Sequence, residues 1–400
     1  MGIKLDNIFD AFSKNFIFRN KNILQSNYTP ETILHRDEQI KQVASILRPA
    51  LRLEKPSNLF LYGLTGTGKT LVVQYVRNQL LERAEKQKLN LKIEYINCKL
   101  KKVGDTEYRI LAELLRKFGE DIPFTGLPTG QLYQKFTELI ENKTQLFIII
   151  LDEIDQAVRR IGDGFLYTLT RINSELKNSQ ISLIGISNDT KFIDQLDPRI
   201  KSSLSEEELI FPPYNALQLK DVLASRSKTA FKEGVIGEGV INKCAAYAAL
   251  SHGDARRALD LLRVSGELAE RRGAKEVTEK DLDEAKEKIE KDRILDLIKT
   301  QPKQFHFVLY SILLLEENKK NKIFTGDIYR TYEKLCKNMV IECLTQRRVG
   351  DIIAEFDMVG IVNAKVISKG RGGRTREIKL AIPETLIPKV KEILEQSLNI

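Results

Sequence analysis

The segment GLTGTGKT at residues 63–70 constrains this chain more than any other stretch. It satisfies the spacing G-x-x-x-x-G-K-[ST], follows the apolar run NLFLYG at 58–63 and opens TLVVQYVRNQLLERAEKQ at 70–87, which carries helical spacing. A strand that turns through glycines into a helix aims backbone N–H groups and the positive helix end at one point, a seat for phosphate. Gly63, Gly66 and Gly68 let the backbone curl, and Leu64, Thr65 and Thr67 complete the loop. Lys69 is spaced to reach β- and γ-phosphates, and the Thr70 hydroxyl to ligate magnesium.

Three further runs, KIEYIN at 92–97, LFIIILDE at 146–153 and ISLIGISN at 181–188, are almost continuously apolar and therefore read as buried parallel strands. Helical patterns lie between them, so the first half is an open α/β sheet. The third run ends in Asp152 and Glu153. Asp152 at a buried strand end suits magnesium held through water, and Glu153 is placed to orient or deprotonate an attacking water. The fourth ends in Ser187, Asn188 and Asp189, where the neutral amide of Asn188 suits the same water.

Beyond FPPY at 211–214 the pattern becomes purely helical, in runs at 219–231, 241–273 and 278–300 punctuated by glycines. In GDARRALD at 253–260, Ala255, Ala258 and Leu259, with Leu262, form the apolar face; Arg257 then points to solvent and Arg256 turns inward. From about residue 291 a third unit shows three helical patterns, two alternating runs and a closing helix from Pro383. Four hundred residues exceed what one core usually serves, which agrees with several domains.

Lys and Arg outnumber Asp and Glu by 64 to 55, a net charge of +9, which favours an anionic partner. Much of that charge gathers near the end. In CLTQRRVGDIIAEFDMVG, Thr345 is placed as N-cap, Val349, Ile352, Ile353 and Phe356 form a buried face, and Gln346, Arg347 and Arg348 occupy the exposed first turn. A recognition helix meets DNA with such residues, through a guanine edge or a phosphate. The runs IVNAKVIS and REIKLAI flank KGRGGRT as two strands of a hairpin, with Lys369, Arg371, Arg374 and Arg376 at or near its tip. That link lacks the Lys-Ser/Thr ending of a phosphate loop, and its cationic tip suits a minor groove or a row of phosphates.

The four cysteines form no C-x-x-C pair, and buried free thiols in a reducing cytosol are expected. No apolar run is long enough to span a bilayer, so no membrane partner and a cytoplasmic location are expected.

The phosphate loop, the DE and SN strand ends and GDARRALD together resemble an AAA+ ATPase. In that superfamily Asn188 and Arg256 correspond to the first and second sensors. YTPETILHRDEQI at 28–40, YINC at 95–98, TLTRINSEL at 168–176, DPRIKSSLSEEELIFPPY at 197–214 and TQRRVGDIIAEFDMVGIV at 345–362 extend the likeness over nearly the whole chain. In order and spacing they resemble the archaeal replication initiators related to origin recognition complex subunit one and cell division cycle six.

The resemblance implies an α/β AAA+ P-loop NTPase base with a parallel sheet (1–213), an all-α lid (214–290) and a C-terminal winged-helix domain (291–400). It implies ATP or ADP with Mg2+, origin double-stranded DNA, paralogous initiator subunits and the replicative helicase as ligands and partners. Tyr28, His35 and Arg36, with Pro30, then help hold adenine and ribose. An insertion between the second and third strands, at 114–136, brings Arg116, Lys117 and the backbone around Gly126 and Gly130 to DNA. Where related ring ATPases carry an arginine finger this chain reads RIKSSL, so slow turnover and a nucleotide switch are expected. A nucleotide-switched winged-helix transcriptional regulator is the rival reading, and a clamp-loader-type machine a third, which the winged helix disfavours.

Overall fold

Strands with apolar residues on both faces need cover on both sides, and the four runs read from the sequence form the middle of such a sheet. The structure, a computed structural model, describes residues 17–25, 28–100, 104, 106–123, 126–204, 206–318, 322–368 and 374–400. Helix α1 (Asp37–Leu47) precedes β1 (Leu59–Tyr62), α2 (Lys69–Lys86) and β2 (Leu91–Asn97). Next come α3 (Glu107–Lys117), α4 (Thr129–Glu141), β3 (Gln145–Asp152), α5 (Ile154–Ile161) and α6 (Gly164–Arg171). The sheet is completed by β4 (Ser179–Ser187), α7 (Pro198–Leu204) and β5 (Glu207–Ile210). All pairings are parallel, in the order β2-β3-β4-β1-β5.

Successive residues of β3 serve opposite cores. Phe147, Ile149 and Leu151 pack with Leu111, Leu115 and Phe136 of α3 and α4, while Leu146, Ile148 and Ile150 pack with Val43, Val72 and Val76 of α1 and α2. Strand β5 has no counterpart among the runs read from the sequence. It is an edge strand and largely exposed, so Glu207 and Glu208 break the continuous apolar pattern that identified the inner strands.

Three helices follow, α8 (Ala216–Ala230), α9 (Val240–Leu250) and α10 (Ala255–Arg271). The run at 241–273, continuous as a sequence pattern, is thus two helices. His252 and Gly253 have φ of +70° and +67°, which ends α9. Asp254 then caps α10 by accepting the backbone N–H of Arg256 at 2.8 Å and of Arg257 at 3.2 Å.

The chain divides into two compact units, one ending at Leu282 and the other starting at Asp283, within α11 (Glu279–Lys299). The second unit contains α12 (Lys303–Glu317), β6 (Ile323–Phe324), α13 (Thr325–Asn338) and α14 (Gln346–Met358). It closes with β7 (Val362–Ser368), β8 (Arg374–Leu380) and α15 (Ile387–Leu398). Strands β7 and β8 form the expected antiparallel hairpin, in register from Val362 opposite Leu380 to Ser368 opposite Arg374. The two-residue β6, too short to leave a sequence pattern, adds a third strand beside β8. The hairpin link at 369–373, with Lys369 and Arg371, lies outside the described residues, as does the side chain of Arg374.

All four cysteines are free thiols; Cys98, Cys244 and Cys336 are buried and Cys343 is partly exposed. Among the described residues no helix is long and apolar enough to cross a membrane.

Candidate nucleotide site and nucleic-acid interface

The loop between β1 and α2 is built for close approach. Gly66 has φ +70°, and a Cβ on it would lie 1.7 Å from Asp254 Oδ1; one on Gly63 would lie 2.4 Å from the Phe211 carbonyl oxygen. Only glycine satisfies either position. The Thr67 hydroxyl donates to the Leu64 carbonyl at 2.9 Å, and the Lys69 ammonium donates to the carbonyls of Gly63 and Leu64 at 2.8 Å each. Leu64 and Thr65 stay at the outer rim of this curl, and Gly68 caps the first turn of α2 with φ +92°.

Burial pulls the Lys69 pKa down to about 8, against the opposing pull of Asp152. A phosphate binds the charged form, so its binding raises that pKa. Affinity for ADP is therefore expected to be flat below about pH 7 and to fall about tenfold per unit once pH exceeds the free-state value near 8. ADP titrations at stepped pH check this, and a profile that stays flat through that range contradicts it.

The sheet order sets the rest of the site. Because β4 lies between β1 and β3, Tyr62 pairs with Ser187 and Asp152 with Ile186, which puts the end of β4 between the phosphate loop and the acidic strand end. Ser187 donates from its buried hydroxyl to Asp155 at 2.9 Å, and Asn188 follows at the tip. Asp152 Oδ2 accepts the Thr70 hydroxyl at 2.8 Å and the Tyr95 hydroxyl at 2.7 Å, while Oδ1 accepts the Glu153 N–H at 2.9 Å. Burial, with Asp152 beside it, pushes the Tyr95 phenol above its ordinary range, so it stays a donor. Glu153 sits in left-handed backbone at φ +52°, and its carboxylate pairs with the Lys99 ammonium at 3.3 Å.

A cleft leads from this loop to the lid. Gly66, Gly68, Thr70 and Arg256 line one end, and Tyr28, Pro30, Ile33, Val222 and Arg226 the other. The Arg226 guanidinium lies 4.6 Å from the Tyr28 ring centre. Glycines, Thr70 and Arg256 suit a nucleotide's phosphates, and Tyr28, Pro30, Ile33 and Val222, among polar neighbours, suit its base. The Thr70 and Asp152 oxygens suit a hard cation such as Mg2+. Of the two lid arginines, Arg256 is the exposed one and lines the cleft, whereas Arg257, expected at the surface, is half buried.

His35 and Arg36, expected at the adenine and ribose, do not line the cleft. Arg36 is 2% exposed and donates to the carbonyls of Thr67 at 2.9 Å, His35 at 3.0 Å and Pro212 at 2.7 Å, with its guanidinium 3.7 Å from the Tyr214 ring centre. With its donors so occupied, it braces the phosphate loop from behind. His35 Nε2 lies 2.9 Å from Asp221 Oδ2 on α8. In α7, which carries the RIKSSL segment, Arg199 is paired with Asp197 at 2.9 Å and Lys201 with Asp194 at 2.8 Å. Arg199 holds the Asp197 carboxyl down at about 2.

On the expected DNA-facing insertion, Arg116 donates to the Ile122 carbonyl at 3.1 Å, and Lys117 lies 3.8 Å from Glu94. Arg116 is half-buried and Lys117 exposed, and the backbone at Gly126 and Gly130 is exposed as well.

In the second unit Thr345 caps α14 as expected, accepting the Arg348 N–H at 3.3 Å. Val349, Ile352, Ile353 and Phe356 are buried; Gln346, Arg347 and Arg348 are exposed, with Arg348 leaning toward Glu355 at 3.6 Å. Arg376 differs from expectation. It lies on the face of the hairpin that carries Ile378, and it donates to the Gly350 carbonyl at 3.0 Å, joining the hairpin to α14.

Sequence reasoning passed over Tyr95, Lys99, Tyr214, Arg226 and Asp254. Asp254 carried a readable signal, an Asp directly before a helical run. The others become visible only when strands and helices distant in sequence meet.

A parallel sheet with a glycine phosphate loop, acids at the end of the next strand but one, a helical lid and a C-terminal winged helix define an AAA+ protein that joins a nucleotide-site architecture to a winged-helix domain. Family models agree along the chain: an AAA domain at residues 52–190, a Cdc6 AAA+ ATPase-type lid domain at 220–287 and a CDC6 C-terminal winged helix domain at 296–390. The chain is 50% identical to the ORC1-type DNA replication protein of Pyrococcus furiosus, over 100% of this chain and 94% of that one. It is 52% identical to ORC1-type DNA replication protein 1 of Methanosarcina acetivorans, over 95% and 91% respectively. The Aeropyrum pernix ORC1 protein, solved in complex with DNA, superposes with a TM-score of 0.86 at 43% identity, over 96% of this chain and 98% of that one. The chain belongs to the ORC1/Cdc6 family of DNA replication proteins.

Proposed function

We propose that this chain is an ATP-regulated replication initiator that binds origin double-stranded DNA and helps recruit the replicative helicase alongside paralogous initiator subunits, on the nucleoid in the cytoplasm. The observation that carries the reading is one chain holding both a lidded phosphate-loop cleft and a capped basic helix beside a hairpin. The same chain aligns end to end with a relative solved on DNA. In this reading residues 1–213 are the base, 214–290 the lid and 291–400 the DNA-binding domain.

Gly63 to Gly68 cradle the phosphates, Lys69 and Arg256 neutralise them, and Thr70 and Asp152 hold magnesium. When bound, ATP would supply the phosphoanhydride and Mg2+ a cation that offsets its charge. Asn188 and Glu153 position and deprotonate the attacking water, with Tyr95 fixing the orientation of Asp152. Gln346, Arg347 and Arg348 read or grip the duplex, Lys369, Arg371 and Arg374 of the hairpin follow its phosphates, and the backbone around Gly126 and Gly130 adds a contact from the base.

Glu153→Gln is expected to keep nucleotide affinity within about twofold while slowing turnover about a hundredfold, the range typical of losing a general base. Single-turnover hydrolysis beside equilibrium binding checks it; undiminished turnover removes Glu153 from that role. The reading as a whole is tested with full-length protein bound to origin and random duplex over a salt series. Arg347→Ala is expected to cost about 1–3 kcal/mol on origin DNA and to narrow the gap between the two duplexes. Equal affinity of the wild-type protein for both duplexes would falsify sequence-specific origin binding.

A further inference from the structure

A carboxylate of the lid lies against the phosphate loop. Asp254 Oδ1 lies so close to Gly66 that no Cβ fits between them, Oδ2 accepts the Thr65 hydroxyl at 3.3 Å, and the next residue, Ala255, donates its N–H to the Gly66 carbonyl at 3.3 Å. The segment is held there from behind: a Cβ on Gly253 would lie 2.3 Å from the Tyr214 carbonyl oxygen, and Tyr214 stacks on Arg36, which grips the Thr67 carbonyl. Oδ1 also accepts the N–H groups of Arg256 and Arg257. An anion therefore already sits at the start of α10, against the loop that receives phosphate.

Capping alone does not call for that charge. Asn and Ser cap helices about as well as Asp does. What the carboxylate adds is a negative charge against Gly66 of the glycine cradle, two positions before Arg256; Arg256 lines the cleft, and Asp254 stands behind the loop rather than in the lining. Like charges in a partly buried cleft repel more strongly than in open water.

We propose that Asp254 sets nucleotide affinity from the lid side: its charge opposes the phosphates, more strongly for a triphosphate than for a diphosphate, and so keeps bound nucleotide exchangeable. The inference rests on the nucleotide site proposed above. In the resting contact the carboxylate satisfies the lid helix and the Thr65 hydroxyl. An arriving phosphate approaches that charge, while Arg256 on the same turn attracts it. The balance of Asp254 and Arg256 then distinguishes the two nucleotides.

The test is calorimetric titration of the full-length protein with ATP and with ADP, comparing wild type, Asp254→Asn and Asp254→Ser. Both variants keep a capping side chain and lose the charge, and a thermal melt of each confirms folding. ATP is expected to bind each variant about tenfold more tightly than wild type, and ADP to gain less. The gap between variant and wild type should shrink as salt is raised. If both folded variants bind ATP no more tightly than wild type, or gain equally for ADP, the inference is overturned while the nucleotide site stands. If Lys69→Ala also binds ATP normally, the nucleotide-site reading itself falls.

Discussion

Lys69→Ala is expected to weaken ATP and ADP binding at least about a hundredfold, a loss of about 2.7 kcal/mol. The ammonium is buried, and its hydrogen bonds at 2.8 Å go to Gly63 and Leu64, in the loop that would receive phosphate. Alanine removes a charge-assisted donor to phosphate, and each such bond is worth about 1.5–3 kcal/mol. It also takes the donor away from two loop carbonyls, so the cradle loses shape as well as charge. Equilibrium titration with a labelled nucleotide reads the effect, and a melting curve separates it from unfolding. Binding within about threefold of wild type would show that the cradle at 63–70 is not where the phosphates sit.

Phe356→Ala is expected to abolish DNA binding and spare nucleotide binding. Phe356 is 2% exposed and meets Phe305 edge to face, with ring centres 5.7 Å apart, in the core of the second unit. Removing such a ring costs about 3–5 kcal/mol, against a typical domain stability of about 5–15 kcal/mol. Phe356 belongs to α14, so its loss loosens the helix that presents Gln346, Arg347 and Arg348. The nucleotide cleft is lined entirely from the unit ending at Leu282 and draws on a different core. The expected result is an early melting transition, duplex affinity reduced at least about a hundredfold and ADP affinity unchanged. Joint loss of both activities would contradict two independently cored units.

The inner sheet was legible because a parallel strand covered on both faces leaves a continuous apolar run, and β1 to β4 fall within a residue or two of those runs. The edge strand β5, with two glutamates and open solvent, leaves no such mark. Spacing could place Lys69 and Thr70 at a loop and Asp152 at a strand end, but not Tyr95, which joins Asp152 only through the pairing of β2 with β3. Charge alone did not show what each arginine touches within the fold. Arg36, Arg116 and Arg376 all read as ligand contacts, yet each guanidinium donates to a backbone carbonyl within its own unit. A sequence shows that an arginine is present without showing which carbonyl is waiting for it. The turn at His252 and Gly253 illustrates the same limit, since helical spacing runs straight through the break that brings Asp254 to the phosphate loop.

The central claim is that nucleotide state and DNA grip are coupled in this one chain. Footprinting of full-length protein on its own genomic DNA, with ATP and without nucleotide, and with Lys69→Ala in parallel, addresses it directly. We expect a discrete protected site whose extent or strength changes with ATP in the wild type and does not change in Lys69→Ala. Protection that is identical with and without ATP in the wild type, or that never exceeds background on any segment, contradicts the account.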